Sequence, residues 1–173
     1  MTYDLLIKHG TVIDGTGAPG VMADVGVSGG RITAMAPHLE GSTEREIDAS
    51  GRIVAPGFID VHTHSDFTLL SAPGADSKVR QGITTEVVGN CGFSPAPVRS
   101  QTLDLLKEYT GFLNPRLPWN WQSLGEFYQR VSESGCAMNI VPLVGHGAVR
   151  IAVMGFENRL PSATDLLEMQ RLV

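Results

Sequence analysis

The chain has 173 residues, 42% of them hydrophobic and 18% charged, enough for a hydrophobic core of ordinary size. A formal net charge of -5 removes the electrostatic case for nucleic acid or anionic lipid as a partner. No apolar run reaches the roughly 18 residues of a membrane span. Met1-Thr2-Tyr3-Asp4 lacks the basic and apolar regions of a secretory signal, and Cys91 and Cys136 make neither a disulfide framework nor a paired-cysteine zinc motif. These features predict a cytoplasmic, reduced protein without nucleic-acid or membrane partners.

Residues 1–55 are predicted to form a small β module. Asp4–Lys8 and Thr11–Asp14 are strand-like runs punctuated by Gly10 and Gly15. Ala23–Val27 and Arg31–Met35 face each other across Ser28-Gly29-Gly30, whose glycines can take the positive φ of a tight turn, predicting a hairpin. Glu46–Ala49 and Arg52–Val54 are expected to pair around Ser50-Gly51. His9 and His38 read as solvated side chains.

The character changes at Pro56, and residues 56–173 alternate strand-like and helical runs, the pattern of βα units with parallel strands. Gly57–His62 is the first strand. A helix is predicted around Asp76–Gln81, stopped by Gly82, and Ile83–Val88 is the second strand, ending in Gly89-Asn90-Cys91-Gly92. Irregular chain follows, marked by Pro95, Pro97, Pro115 and Pro118. Ser123 and Glu126 then form a capping box, and Leu124, Phe127, Tyr128 and Val131 fall on one helical face. Met138–Val144 is the third strand, closing on Gly145-His146-Gly147, and Ser162 caps a last helix containing Leu166, Leu167 and Met169.

Asp60-Val61-His62-Thr63-His64, at the end of the first parallel strand, carries the strongest chemical signal. If the strand continues through it, His62 and His64 share a face about 6.6 Å apart, a spacing at which two imidazoles can hold one cation. On spacing alone the pair also reads as two loop histidines. Asp60 shares their parity and can orient a histidine. Cys91, taken alone, reads as a small buried hydrophobe. Cys136 reads as core. Glu86 interrupts an apolar strand and, if buried, requires a partner. Trp119 and Trp121 read as a pocket wall or as packing, and no glycine cluster has phosphate-loop spacing.

Pro56-Gly57-Phe58-Ile59-Asp60-Val61-His62-Thr63-His64 resembles the first metal motif of the amidohydrolase superfamily. Gly10-Thr11-Val12-Ile13-Asp14-Gly15-Thr16-Gly17 resembles the opening strands of that superfamily's small β-sandwich domain. Gln81–Gly92 is similar to the N-acyl-D-amino-acid deacylase (D-aminoacylase) group, and Leu143-Val144-Gly145-His146 continues the likeness. The resemblance implies an α/β fold: the N-terminal part of a (β/α)8 barrel, residues 56–173 giving its first three βα units, preceded by a β-sandwich module over residues 1–55. It implies His62, His64 and Cys91 as metal ligands, one or two Zn²⁺ ions as cofactor, and a small-molecule N-acyl-D-amino acid as substrate. Asp66 becomes a pocket-lining or loop-capping residue, and His146 a substrate-facing, ligand-supporting or structural one.

No general base is visible. The resemblance implies an aspartate from a later barrel strand, so the chain reads as incomplete, and by itself inactive and poorly stable, with open sheet edges and an uncovered apolar face. A cyclic-amide hydrolase of the dihydroorotase or hydantoinase kind is the alternative enzyme, and a non-catalytic binding or assembly module is the alternative outside catalysis. Neither the acyl and side-chain preference nor the oligomeric state is legible.

Overall fold

The computed structural model describes residues 1–113 and 115–173, which divide into two compact units, Met1–Pro56 and Gly57–Val173. The first is one five-stranded mixed sheet: β1 (Thr2–Val12), β2 (Val21–Ser28), β3 (Arg31–Ala36), β4 (Ser42–Asp48) and β5 (Ile53–Val54). Its order is β3-β2-β1-β4, with β5 also on β1. The predicted hairpin is present as β2–β3, antiparallel, with Gly29 at φ 60° and Gly30 at φ 70° in the turn.

Two expectations for this unit are corrected. Gly10 does not punctuate β1, which runs on through it with a bulge between Ile7 and Gly10. The glycine serves packing instead, since a Cβ there would lie 2.5 Å from Val54 Cγ2. Nor do residues 46–49 and 52–54 pair with each other. β4 and β5 both lie parallel to β1, joined by Ala49 N–H to Lys8 O at 2.8 Å and Thr11 N–H to Arg52 O at 3.0 Å. The Ser50-Gly51 turn thus steps the chain along one edge of a strand long enough to satisfy both segments.

The bulge has its own anchor. Asp24 is buried on β2 and accepts the His9 and Leu39 amides, each at 2.9 Å. Burial alone would raise the Asp24 pKa, but those two amides and the nearby His9 and His38 rings hold it below the usual carboxylate range.

The second unit carries three parallel strands in the order β6 (Phe58–Asp60), β7 (Ile83–Val88) and β8 (Asn139–Pro142). The helices are α1 (Asp76–Val79), α2 (Leu103–Thr110), α3 (Leu124–Ser134), α4 (His146–Met154) and α5 (Ala163–Arg171). With parallel strands and intervening helices, the chain is an α/β protein. Both predicted N-caps are formed: Ser123 with Glu126 on α3, and Ser162 with Asp165 on α5, each a reciprocal capping box. On α3 the inward face is Phe127 and Val131, with Leu124 and Tyr128 packed at its margin. On α5 only Met169 of the three apolar residues named above is buried, and Leu166 and Leu167 are exposed.

The core of this unit gathers Leu69, Val98, Leu106, Trp121, Phe127, Val131 and Ile151. Trp121 is buried packing, its Nε1 donating to Pro95 O at 2.8 Å, and with Val98, Leu103 and Trp119 it also lines a cleft. Trp119 stacks beside it at 5.9 Å. Among the described residues, no helix is long and apolar enough to cross a membrane.

Candidate metal centre

Parallel pairing brings the carboxyl ends of β6, β7 and β8 to one edge of the sheet, the edge where open α/β sheets bind ligands. His62 and His64 follow β6, Cys91 follows β7, and His146 follows β8 as the first residue of α4. One ligand atom from each of His62, His64 and Cys91 lies within 4.8 Å of the other two, with Cys91 Sγ 3.0 Å from His62 Nε2. Three donors of this kind are the protein complement of an open zinc site, and a soft thiol beside imidazoles suits a borderline-soft cation. The residues therefore fit a metal ion.

The histidines converge for a reason other than strand alternation. β6 stops at Asp60, and the two rings meet edge to face at 6.0 Å because the chain turns after Val61 and His64 precedes a 3-10 turn at Ser65–Phe67. Partial burial, reinforced by the charge His62 would carry, lowers the His64 pKa and favours the neutral imidazole that a metal requires. Its buried Nδ1 has no hydrogen-bond partner among the described residues, and Phe93 packs against the ring at 5.6 Å.

Cys91 is exposed, so its reading as a buried hydrophobe is overturned. It sits at φ 56°, the left-handed region that side chains with a Cβ rarely adopt, in a 3-10 turn entered through Gly89. The glycines around it permit close passage of two loops. A Cβ on Gly89 would fall 1.9 Å from Leu143 O, one on Gly145 2.5 Å from Gly92 O, and one on Gly147 2.8 Å from Gly92 O. The turn after β7 is thereby pressed onto the β8–α4 connection, which aims the thiol at the histidines.

The remaining sequence candidates fall in different places. Asp60 touches neither imidazole: its carboxylate accepts the His62 backbone N–H at 3.2 Å and the Lys78 ammonium at 2.6 Å. The Lys78 hydrogen bond, with help from the His62 amide, holds the Asp60 carboxyl below the usual carboxylate range. Asp66 is completely buried, and neither carboxyl oxygen meets a hydrogen-bond partner of ordinary geometry. Burial pushes its pKa up to about 7 despite nearby amides of Asp66, Gly89 and Phe67. His146 is exposed and shares with Cys91, Tyr109 and Arg150 a cleft of about 520 Å³.

Glu86 has a partner that the sequence left unnamed. It is buried and in register with Asp60, and its Oε1 lies 3.2 Å from Lys78 Nζ and accepts Ser65 Oγ at 3.1 Å. Asn90 was also missed, and it ties the cysteine turn to the histidine loop by donating to Val87 O at 2.8 Å and Thr63 O at 3.4 Å. An acidic residue inside an apolar strand was the available signal for Lys78. Nothing in the local pattern pointed to Asn90.

Two imidazoles and a thiol gathered at the carboxyl edge of a parallel sheet give this α/β protein a donor set that fits a metal ion. The amidohydrolase family profile matches residues 45–173, and the chain belongs to that family. It is 39% identical to an N-acyl-D-glutamate deacylase of Alcaligenes xylosoxydans xylosoxydans, over 98% of this chain and 34% of that protein. A D-aminoacylase structure described as having a binuclear metal centre superposes with a TM-score of 0.84 at 40% identity, covering 98% of this chain and 35% of the other. The N-acyl-D-glutamate deacylase of Bordetella bronchiseptica, complexed with zinc and a phosphonate mimic of the tetrahedral intermediate, gives 0.86 at 37% identity, covering 99% and 35%. The chain spans about a third of the length of these relatives.

Proposed function

We propose that this chain carries the first metal-ligating strands of a zinc-dependent hydrolase that cleaves the amide bond of N-acyl-D-amino acids, releasing a carboxylic acid and a D-amino acid. The observation that carries this reading is the convergence of His62, His64 and Cys91 within 4.8 Å. In this reading β6, β7 and β8, with the helices between them, are βα units of a (β/α)8 barrel, and the sheet of residues 1–56 belongs to a small β-sandwich domain. The likeness to the two deacylase structures supports both assignments.

When bound, zinc supplies Lewis-acid polarisation of the amide carbonyl and activation of water. The protein's part is to hold the ion in a fixed, open geometry. His62 and His64 contribute neutral nitrogens, and Cys91 contributes a thiolate whose softness favours zinc over magnesium or calcium. Asp60, bound to Lys78, is committed to structure and is not the base. The cleft beside Cys91 that includes His146, Tyr109 and Arg150 is where an acylated substrate would lie.

The test uses the native gene product purified from its own cells, with zinc quantified by mass spectrometry. It is offered N-acetyl-D-glutamate, N-acetyl-D-methionine, their L enantiomers, and hydantoin. Release of free D-amino acid, absent for the L compounds and abolished by Cys91→Ser, is expected. Hydrolysis of hydantoin alone would overturn the assignment in favour of cyclic amides. A folded native product without zinc or turnover would overturn catalysis and leave a binding module.

A further inference from the structure

Asp60 and Glu86 stand opposite one another on adjacent parallel strands, Asp60 as the last residue of β6 and Glu86 two residues before the end of β7, which leads into the cysteine turn. Two carboxylates in that register would push the strand ends apart. Lys78, reaching from α1, lies between them, its Nζ 2.6 Å from Asp60 Oδ2 and 3.2 Å from Glu86 Oε1. The same ammonium donates to Thr63 Oγ1 at 3.0 Å, and Thr63 is the residue between the two histidines. Ser65 closes the ring, 3.2 Å from Thr63 Oγ1 and 3.1 Å from Glu86 Oε1. The network therefore grips residues 60, 63 and 65, which bracket His62 and His64, and fastens them to the strand that leads into Cys91.

We propose that Lys78 is a positioning residue of the metal centre, holding the histidine loop and the cysteine strand in the relation that lets three donors meet on one ion. The proposal rests on the metal-centre reading above. Among the described residues, Lys78 hydrogen-bonds to none of the three donors, so it acts through Asp60, Thr63 and Glu86. Outer partners of metal ligands work in this way, fixing the orientation of a ligand without contacting the ion. The acidic pair explains why a cation is required at this position, and the triple contact explains why a neutral side chain of the same length would not replace it.

The experiment measures zinc affinity by competition with a chromophoric chelator, and the thiolate charge-transfer and visible bands of the cobalt(II) form. The proteins are the native gene product and its variants Lys78→Met, Lys78→Arg, the double Lys78→Met/Glu86→Gln, Cys91→Ser, and Val131→Ala. The double variant matters because Lys78→Met alone strands Glu86 in the interior and can prevent folding. In the double variant, with far-UV circular dichroism unchanged, zinc Kd is expected to rise about 10- to 100-fold, and the cobalt bands to shift. Lys78→Arg recovers part of the affinity. Val131→Ala, a cavity in the core of the same unit, lowers the urea midpoint and leaves Kd and the cobalt spectrum alone.

A folded double variant with native Kd and native cobalt bands would overturn the positioning role while leaving the metal centre standing. Zinc binding equally weak in the unaltered native gene product and in its Cys91→Ser variant would overturn the metal centre, and the proposal with it.

Discussion

At Gly89 the chain leaves β7, and both its conformation and its surroundings exclude a side chain. Its φ is +84°, which costs an L-residue about 1 to 2 kcal/mol. A Cβ there would also lie 1.9 Å from Leu143 O and 2.6 Å from Leu143 C, backbone atoms that cannot rotate away. Relief requires moving the cysteine turn or the β8–α4 connection, a forced overpacking of about 1 to 3 kcal/mol. Gly89→Ala is therefore expected to destabilise the unit by about 2 to 5 kcal/mol in total and to carry Cys91 away from the histidines. Two other glycines separate the contributions. Gly82, at φ +81°, has ordinary space, with Phe58 no nearer than 3.4 Å, so Gly82→Ala reads the conformational cost alone. Gly145 has no positive φ, but a Cβ there meets Gly92 O at 2.5 Å, so Gly145→Ala reads the steric cost alone. The assay is urea unfolding of the three variants followed by tryptophan fluorescence, with cobalt(II) binding on the folded proteins. The expected order of destabilisation is Gly89→Ala greatest, with weak cobalt binding for Gly89→Ala and Gly145→Ala and normal binding for Gly82→Ala. If Gly89→Ala lost no more stability than Gly82→Ala and kept its cobalt spectrum, the close loop contact would not be what aims the thiol.

Two further outcomes follow from other parts of the molecule. Asp24 has a folded pKa below its unfolded value of about 3.9, so the stability it contributes is present above that pH and lost as pH falls through the folded pKa. Hydrogen-exchange protection of the His9 and Leu39 amides should decline below about pH 4, and Asp24→Asn should remove that dependence; an unchanged profile in the variant would exclude Asp24 as the cause. Ser123→Ala removes the side-chain half of the α3 capping box and should cost about 1 kcal/mol in urea unfolding, whereas a variant as stable as the parent would mean the box adds nothing to a helix already held by Phe127 and Val131.

How far the sequence could be read depended on how far apart the interacting residues lie. The α3 capping box and the Ser162 cap of α5 were legible because a cap and the helix turn it serves lie within three residues of each other. The β2–β3 hairpin was legible because two glycines specify its turn. α2 lies between prolines that read as irregular chain, although Leu103, Leu106 and Thr110 repeat at helical spacing. α4 escaped for a different reason: Ala148, Val149, Ile151, Ala152 and Met154 are all buried, and a helix covered on most sides has no amphipathic stripe to read.

At the candidate site, the sequence by itself determined the chemistry on offer: two imidazoles one residue apart, a thiol, and glycines on both sides of it. Side-chain type and short spacing are local properties, and they survive any arrangement of the rest. Only the tertiary structure decided how these groups meet. The strand ends before the histidines, so strand alternation does not orient them; turns and the Thr63 and Ser65 contacts do. Asp60, Lys78 and Glu86 are separated along the chain by intervening loop, helix and strand; strand register sets Asp60 beside Glu86, and the packing of α1 against the sheet brings Lys78 to both. An ion pair carries no sequence signature at such separations, because charge attracts through space while spacing patterns record only what one helix or strand places side by side.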